Sequence, residues 1–120
     1  MPQSLLKRIA IDWFEAFNSH NIEKLLALYD DNAEHYSPKL KTLHPETKGC
    51  INGKAALRAW WTEAFQRLPQ LHYEILQLTA DKQQVFMEYI RHTPNEADLR
   101  VGEVLVIRNG KIIASRVYHS

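Results

Sequence analysis

Apolar residues recur at helical spacing in the first half of the chain and in strand-like runs in the second. Leu6, Ile9, Ala10, Trp13, Phe14 and Phe17 fall on one broad stripe, with Lys7, Arg8 and Asp12 largely elsewhere. This predicts an amphipathic helix with Ser4 as its N-cap. Asn18-Ser19-His20-Asn21 interrupts it, and Asn21 can cap a second helix with Glu23 in its first turn. Ile22, Leu25, Leu26 and Tyr29 make the stripe of that second helix, which Asp30-Asp31-Asn32 ends. A short strand from about Ala33 to Ser37 is expected next. Pro38 to Asn52 carries two prolines, three lysines and little periodicity, so it reads as a long loop. A third helix, begun at Asn52 or Gly53, is predicted over Lys54 to Leu68 on Leu57, Trp60, Trp61, Ala64, Phe65 and Leu68, until Pro69 stops it.

Four longer strands are predicted after that: Leu71–Leu78, Val85–His92, Leu99–Arg108 and Lys111–His119. Asn109-Gly110 between the last two is a strong hairpin signal, because a type I′ turn needs positive φ at both central residues. The short connections imply antiparallel pairing. Helices first and strands last define an α+β domain, three helices packed on one face of a curved antiparallel sheet. One residue conflicts with its surroundings. Glu103 lies among Val101, Gly102, Val104, Leu105, Val106 and Ile107, where a carboxylate is costly unless it is paired, hydrogen-bonded or protonated. It must meet a partner, water or a cavity.

At 120 residues and 14.0 kDa the chain fits one domain, taken as 1–120. Its net charge of +1, with acid and base interspersed, gives no basic face for nucleic acid or an anionic membrane. No stretch approaches the length of a membrane span, and Asp12 and Glu15 break any apolar leader. Cys50 stands alone, which excludes an internal disulfide and fits a reducing, cytoplasmic setting. His20, His35, His44, His72, His92 and His119 show no metal-ligand spacing, and no glycine-rich phosphate cradle is present, so neither metal nor cofactor is expected.

The order of elements resembles the nuclear transport factor 2-like (cystatin-like) fold, and within it the SnoaL-like polyketide cyclase and ketosteroid isomerase branch. The resemblance is carried by WFEAFNSHNIEKLLALYDDNAEHYSP from Trp13, GKAALRAWW from Gly53 and GEVLVIRNGKIIASRVYHS from Gly102, and covers nearly the whole chain. It implies a cone-shaped half-barrel closing over a pocket, with the first and third helices as lid and floor. The scaffold hosts isomerases, cyclases, hydrolases and plain binding modules, so it specifies fold better than activity. The isomerases' oxyanion tyrosine falls on Trp13, whose indole offers one N–H and no acidic hydroxyl. Their base falls at Tyr36 or Ser37, where there is no carboxylate, and their protonated aspartate falls on Glu103. One acid of three survives, so steroid isomerisation by that mechanism is not expected. His35, in EHYSP, matches the first-strand histidine or aspartate of the cyclases.

Strand alternation then sorts the faces. Val101, Glu103, Leu105 and Ile107 share the inward face of their strand, and Ala33, His35 and Ser37 go together from the first strand. The resemblance places Ile113, Ser115, Val117 and His119 toward the pocket from the last strand. The expected site has Glu103 and His35 as proton-handling groups, with Trp13, Trp60, His119, Ser115, Tyr36, Leu105 and Val117 as ligand-binding lining. A His–Glu pair would work only at about 3 Å. The competing reading for Glu103 is a structural ion pair with Arg91, Arg100 or Arg116, and for the tryptophans simple core packing. Three functions fit: acid–base catalysis on a small apolar or aromatic carbonyl compound, a non-catalytic small-ligand module, or a dimerising adaptor. Phe86, Ile90, Val104 and Val106 on the outer sheet face, together with the family's habit, imply a homodimer.

Overall fold

A computed structural model describes residues 2–119; Met1 and Ser120, the ends of the expected domain, lie outside the described residues. The elements are α1 (Gln3–Asn18), α2 (Ile22–Ala27), β1 (Tyr29–Tyr36), α3 (Pro38–Leu43), a 3₁₀ turn (Pro45–Thr47), β2 (Cys50–Asn52), α4 (Lys54–Arg67), β3 (His72–Asp81), β4 (Gln84–His92), β5 (Leu99–Arg108) and β6 (Lys111–Tyr118). The strands form one curved, unclosed sheet in the order β2-β1-β6-β5-β4-β3. Helices α1 and α4 lie against its concave side, as the α+β pattern predicts.

The stripe of α1 is buried as expected, at Leu6, Ala10, Trp13, Phe14 and Phe17. Its N-cap is Pro2 rather than Ser4: the Pro2 carbonyl accepts from the N–H groups of Leu5 and Leu6, and Ser4 sits inside the first turn. At the other end, His20 adopts the left-handed conformation (φ 54°). The N–H of Asn21 then returns to Ala16 O and that of His20 to Phe17 O, a Schellman closure on a non-glycine residue. The His20 ring holds this geometry by bonding Leu71 O at 2.8 Å and stacking on Phe65. Asn18 reaches from the last turn to β3, donating to Tyr73 O and accepting from Tyr73 N at 2.9 and 2.8 Å. This clamp sets where Tyr73 lies.

Four further expectations are corrected. Tyr29 belongs to β1 and not to α2, because its backbone pairs with Ile112 and its hydroxyl is held inside the sheet. The segment from Pro38 to Asn52 is not an open loop: Ser37 caps α3 with Pro38 in its first turn, and Cys50–Asn52 adds an edge strand to β1. The sheet is not wholly antiparallel, since β1 runs parallel to β6 while the other pairs are antiparallel. Ile113 does not face inward. A bulge between the Val106 and Ile107 pairings puts Ile112 in the core and displaces Ile113, and alternation resumes inward at Ser115 and Val117.

The inward rows are thus Val85, Met87, Tyr89 and Arg91 on β4, and Val101, Glu103, Leu105 and Ile107 on β5, all buried. The outer face carries Phe86, Ile90, Val104 and Val106, as the alternation predicts. No helix among the described residues is long and apolar enough to cross a membrane.

The hairpin turn is the one predicted, with φ of 53° at Asn109 and 76° at Gly110. A Cβ built on Gly110 meets nothing within 4 Å, so substitution there isolates backbone strain from packing. Gly110→Ala is expected to cost about 1 kcal/mol in urea denaturation. A variant as stable as the parent would mean that the left-handed backbone at this turn carries no such cost.

Candidate functional site

Glu103 points inward and is 1% exposed. None of the arginines proposed as its structural partner reaches it: Arg91 bonds Glu96, Arg100 lies by Glu88, and Arg116 lies by Glu34. Its one hydrogen bond comes from the Tyr89 hydroxyl, which donates to Oε1 at 2.7 Å. Oε2 is buried with no partner among the described residues. Burial raises the carboxyl pKa to about 7, the Tyr89 bond acting in the opposite direction. Near neutrality the group is therefore divided between acid and carboxylate, a state suited to proton transfer.

His35 also points inward and is buried, but it does not pair with Glu103. Its Nδ1 lies 2.6 Å from Ser115 Oγ. Ser115 Oγ accepts from the Tyr29 hydroxyl at 2.9 Å, and Tyr29 accepts from Trp13 Nε1 at 3.0 Å. An indole N–H can only donate, which orders the series. Trp13 donates to Tyr29, Tyr29 to Ser115 and Ser115 to Nδ1, so that each proton has an acceptor. With Ser115 donating, the ring proton of His35 sits on Nε2, in a side chain that lines the cavity. Burial lowers the His35 pKa to about 4, against a smaller opposing hydrogen bond to the Ser115 backbone. The imidazole is neutral near pH 7.

Between these two groups the helices and sheet leave a cavity with about 60 Å³ open to the centres of water molecules, room for roughly four waters or a small molecule. Trp13 and Phe17 from α1 and Trp60 and Trp61 from α4 form its helical wall. Tyr73 stacks between Phe17 and Tyr89, at ring separations of 4.1 and 4.3 Å, and forms the sheet-side wall. Val101 and Val117 complete the floor, and Lys39, Arg67 and Arg91 stand around the rim. Burial lifts the hydroxyl pKa values of Tyr73 and Tyr89, with the nearby Glu103 carboxylate adding to the effect, so both are donors at neutral pH.

Of the residues expected in this site, the structure brings together Glu103, His35, Trp13, Trp60 and Val117. Ser115 lies one layer behind, fully buried, and acts on His35. Leu105 is fully buried core, flanked by Val85 and Ser115 in the neighbouring strands. Tyr36 points to the opposite face, as its position next to His35 demands, and its ring lies 6.0 Å from that of Tyr118. His119 follows the end of β6 and borders a shallow outer depression with Phe86 and Tyr118 instead of the cavity. Sequence reading missed Tyr73, Tyr89, Arg91, Lys39 and Arg67. Tyr89 and Arg91 were accessible from the alternation of β4, whereas Tyr73 depends on the Asn18 clamp and a bulge after Ile75.

Residues 10–115 match the model of the SnoaL-like domain family. Among curated proteins none matches the chain. A SnoaL-like protein of unknown function from Burkholderia thailandensis E264 is similar over 100% of this chain and 98% of its own, with a TM-score of 0.87 and 22% identity. A candidate ketosteroid isomerase from Kribbella flavida is similar over 98% of this chain and 79% of its own, at TM-score 0.80 and 17% identity. A protein of ketosteroid isomerase-like fold from Catenulispora acidiphila, solved with trimethylamine, covers 93% of this chain and 85% of its own, at TM-score 0.78 and 16% identity. At these identities the likeness is one of fold.

The raised pKa of Glu103 has a signed consequence. The folded chain holds this proton more tightly than the unfolded chain, so the stabilisation is complete below about pH 4.5 and is lost as pH rises through about 7. The difference between 4.5 and about 7 amounts to on the order of 3 kcal/mol. Glu103→Gln, which stays neutral, is expected to gain about that much relative to the parent between roughly pH 4.5 and pH 8.5. Urea melts of both proteins across this range check it. A pH-independent difference would show that the carboxyl titrates normally.

Proposed function

The chain belongs to the SnoaL-like domain family, and we propose that it uses its pocket to move protons at a small apolar or aromatic carbonyl compound. The observation that carries this reading is the buried Glu103, bonded by one tyrosine and free of any arginine, at an aromatic-walled cavity. Glu103 takes the proton next to the carbonyl. Tyr89 occupies Oε1, which leaves Oε2 for the transfer. The Nε2–H of His35 donates to the carbonyl oxygen as negative charge develops there, and the neutral imidazole keeps its own proton. Both roles draw on low local polarity, which strengthens a fixed donor and keeps water from the enolate. This differs from the paired acid–base device expected of His35 and Glu103, because the two side chains answer to different partners.

The reaction class is tested by exchange of the acidic hydrogens of phenylacetone, followed by proton NMR in heavy water. The parent protein is expected to accelerate exchange, with a pH–rate profile that rises through an apparent pKa of about 7. Glu103→Gln should lose roughly 100- to 10,000-fold of that rate while binding the ketone within a factor of about three. Equal rates in the two proteins, or binding without exchange in the parent, would leave a ligand-binding module instead.

The same reading includes assembly as a homodimer through the outer sheet face. Phe86 is 38% and Tyr118 51% exposed there, beside the half-buried Ile90, Val104 and Val106. Light scattering at micromolar concentration is expected to give twice the 14.0 kDa chain mass, and Phe86→Glu to bring it down to a single chain. A parent protein at the mass of one chain would defeat this.

A further inference from the structure

We propose that the rim of the cavity is an anion site, and that the ligand is a small organic acid whose carboxylate binds Arg91 while its carbonyl lies toward Glu103. The inference rests on the pocket reading above and narrows its substrate class. Three cations line the cavity from three separate elements: Lys39 on α3, Arg67 at the end of α4 and Arg91 on β4. Arg91 is the telling one, because its side chain is only 9% exposed. A buried guanidinium requires a counter-charge. The one it has is Glu96, on the rim connection between β4 and β5, through a single contact from Nη1 to Oε1 at 2.7 Å.

A guanidinium offers two parallel N–H donors to a carboxylate, and Glu96 uses one arm of that fork. The rest of the Arg91 fork has no partner among the described residues. The Glu96 side chain is 42% exposed, so an incoming anion can displace it at little cost. Glu96 also feels the other two cations: Arg91 first, then Lys39 and Arg67, hold its carboxyl below the usual range. It therefore occupies the place where the positive fields of all three converge, and it stands in for a ligand carboxylate. Lys39 has no ion pair among the described residues, and Arg67 is shared with Glu63 at 3.2 Å. Three cations face two carboxylates at this rim.

The inner end of the cavity is separated from the rim along the sheet. Glu103 pairs with Met87, four residues before Arg91 on the same strand, which is about 13 Å at the backbone. One molecule with a carboxylate at one end and a carbonyl beyond it spans this arrangement without setting its charge against Glu103. The aromatic walls suit a ring between the two.

Calorimetric titration with 4-(2-oxopropyl)benzoate, which carries its ring between carboxylate and ketone, with phenylacetone and with phenethyltrimethylammonium tests the charge preference directly. The acid is expected to bind at least tenfold tighter than the ketone at low salt, with the gap narrowing as salt is added. Arg91→Gln should bring the acid down to the level of the ketone. Glu96→Gln should tighten the acid several-fold and leave the ketone unchanged, which decides the matter even where the arginine variant fails to fold. Equal or tighter binding of the ketone or the ammonium compound, or an unaltered acid affinity in Glu96→Gln, overturns the proposal. Exchange of phenylacetone lost in Glu103→Gln with no acid preference would remove the acid and keep the proton transfer; acid preference without exchange would do the reverse.

Discussion

The hydrogen-bond series from Trp13 through Tyr29 and Ser115 to His35 is the interaction on which the interior depends. It joins the first helix to the parallel pair β1 and β6, across 86 residues between Tyr29 and Ser115. Each member is a polar group placed inside a core, where an unsatisfied donor or acceptor costs about 1–3 kcal/mol. Each is satisfied by the next. Because the first member can only donate, the series has a direction, and the direction ends on a ring nitrogen. Packing and protonation are settled together: the residues that fix helix α1 against the sheet also fix which nitrogen of His35 faces the hollow.

The two titratable groups of the cavity are moved in opposite senses by the same cause. Burial disfavours charge, so it lowers His35 to about 4 and raises Glu103 to about 7. Between those values both are uncharged, and the charge at the cavity is that of its cationic rim. Above about 7 the carboxylate forms with no cation bonded to it among the described residues, Arg91 bonding Glu96 at the rim instead. An unpaired carboxylate in such a place is a strong base for its surroundings. Its cost to stability and its proposed use as a proton acceptor are therefore one property viewed from two sides.

The helical stripes, the Asn109-Gly110 turn and the inward rows of β4 and β5 were legible because they follow from local periodicity. Glu103 was legible as a contradiction, a charge in an apolar strand. What escaped depends on pairing between distant segments. Tyr29 continues the apolar stripe of α2 in sequence, yet its contact with Ile112 draws it into a strand, a tertiary override of local pattern. The parallel pairing of β1 with β6 leaves no trace in connection lengths, because the two strands are at opposite ends of the chain. The bulge at Ile113 shifts the face of one residue only, and β6 ends at Tyr118, leaving His119 at the outer depression beyond it. Arg91 was read only as a partner for Glu103, whereas the rim loop supplies Glu96 five residues later.

Membership of the SnoaL-like family accounts for the hollow, and the departures from its isomerase pattern account for how this hollow is furnished. Where those enzymes present a tyrosine hydroxyl from the first helix, Trp13 presents an indole N–H, and that N–H is consumed inside the fold by Tyr29. It cannot also serve a ligand. On the proposed reading the donor role passes along the series to its far end, the Nε2–H of His35 on β1, instead of a hydroxyl on the first helix. The acid on the penultimate strand is retained as glutamate, one methylene longer, and is met by Tyr89 from the neighbouring strand. A donor on β1 and a proton acceptor on β5, separated by β6, frame the cavity from two sides. Such a frame favours a substrate that presents its carbonyl oxygen and its acidic carbon in different directions, with its remaining length directed toward the cationic rim.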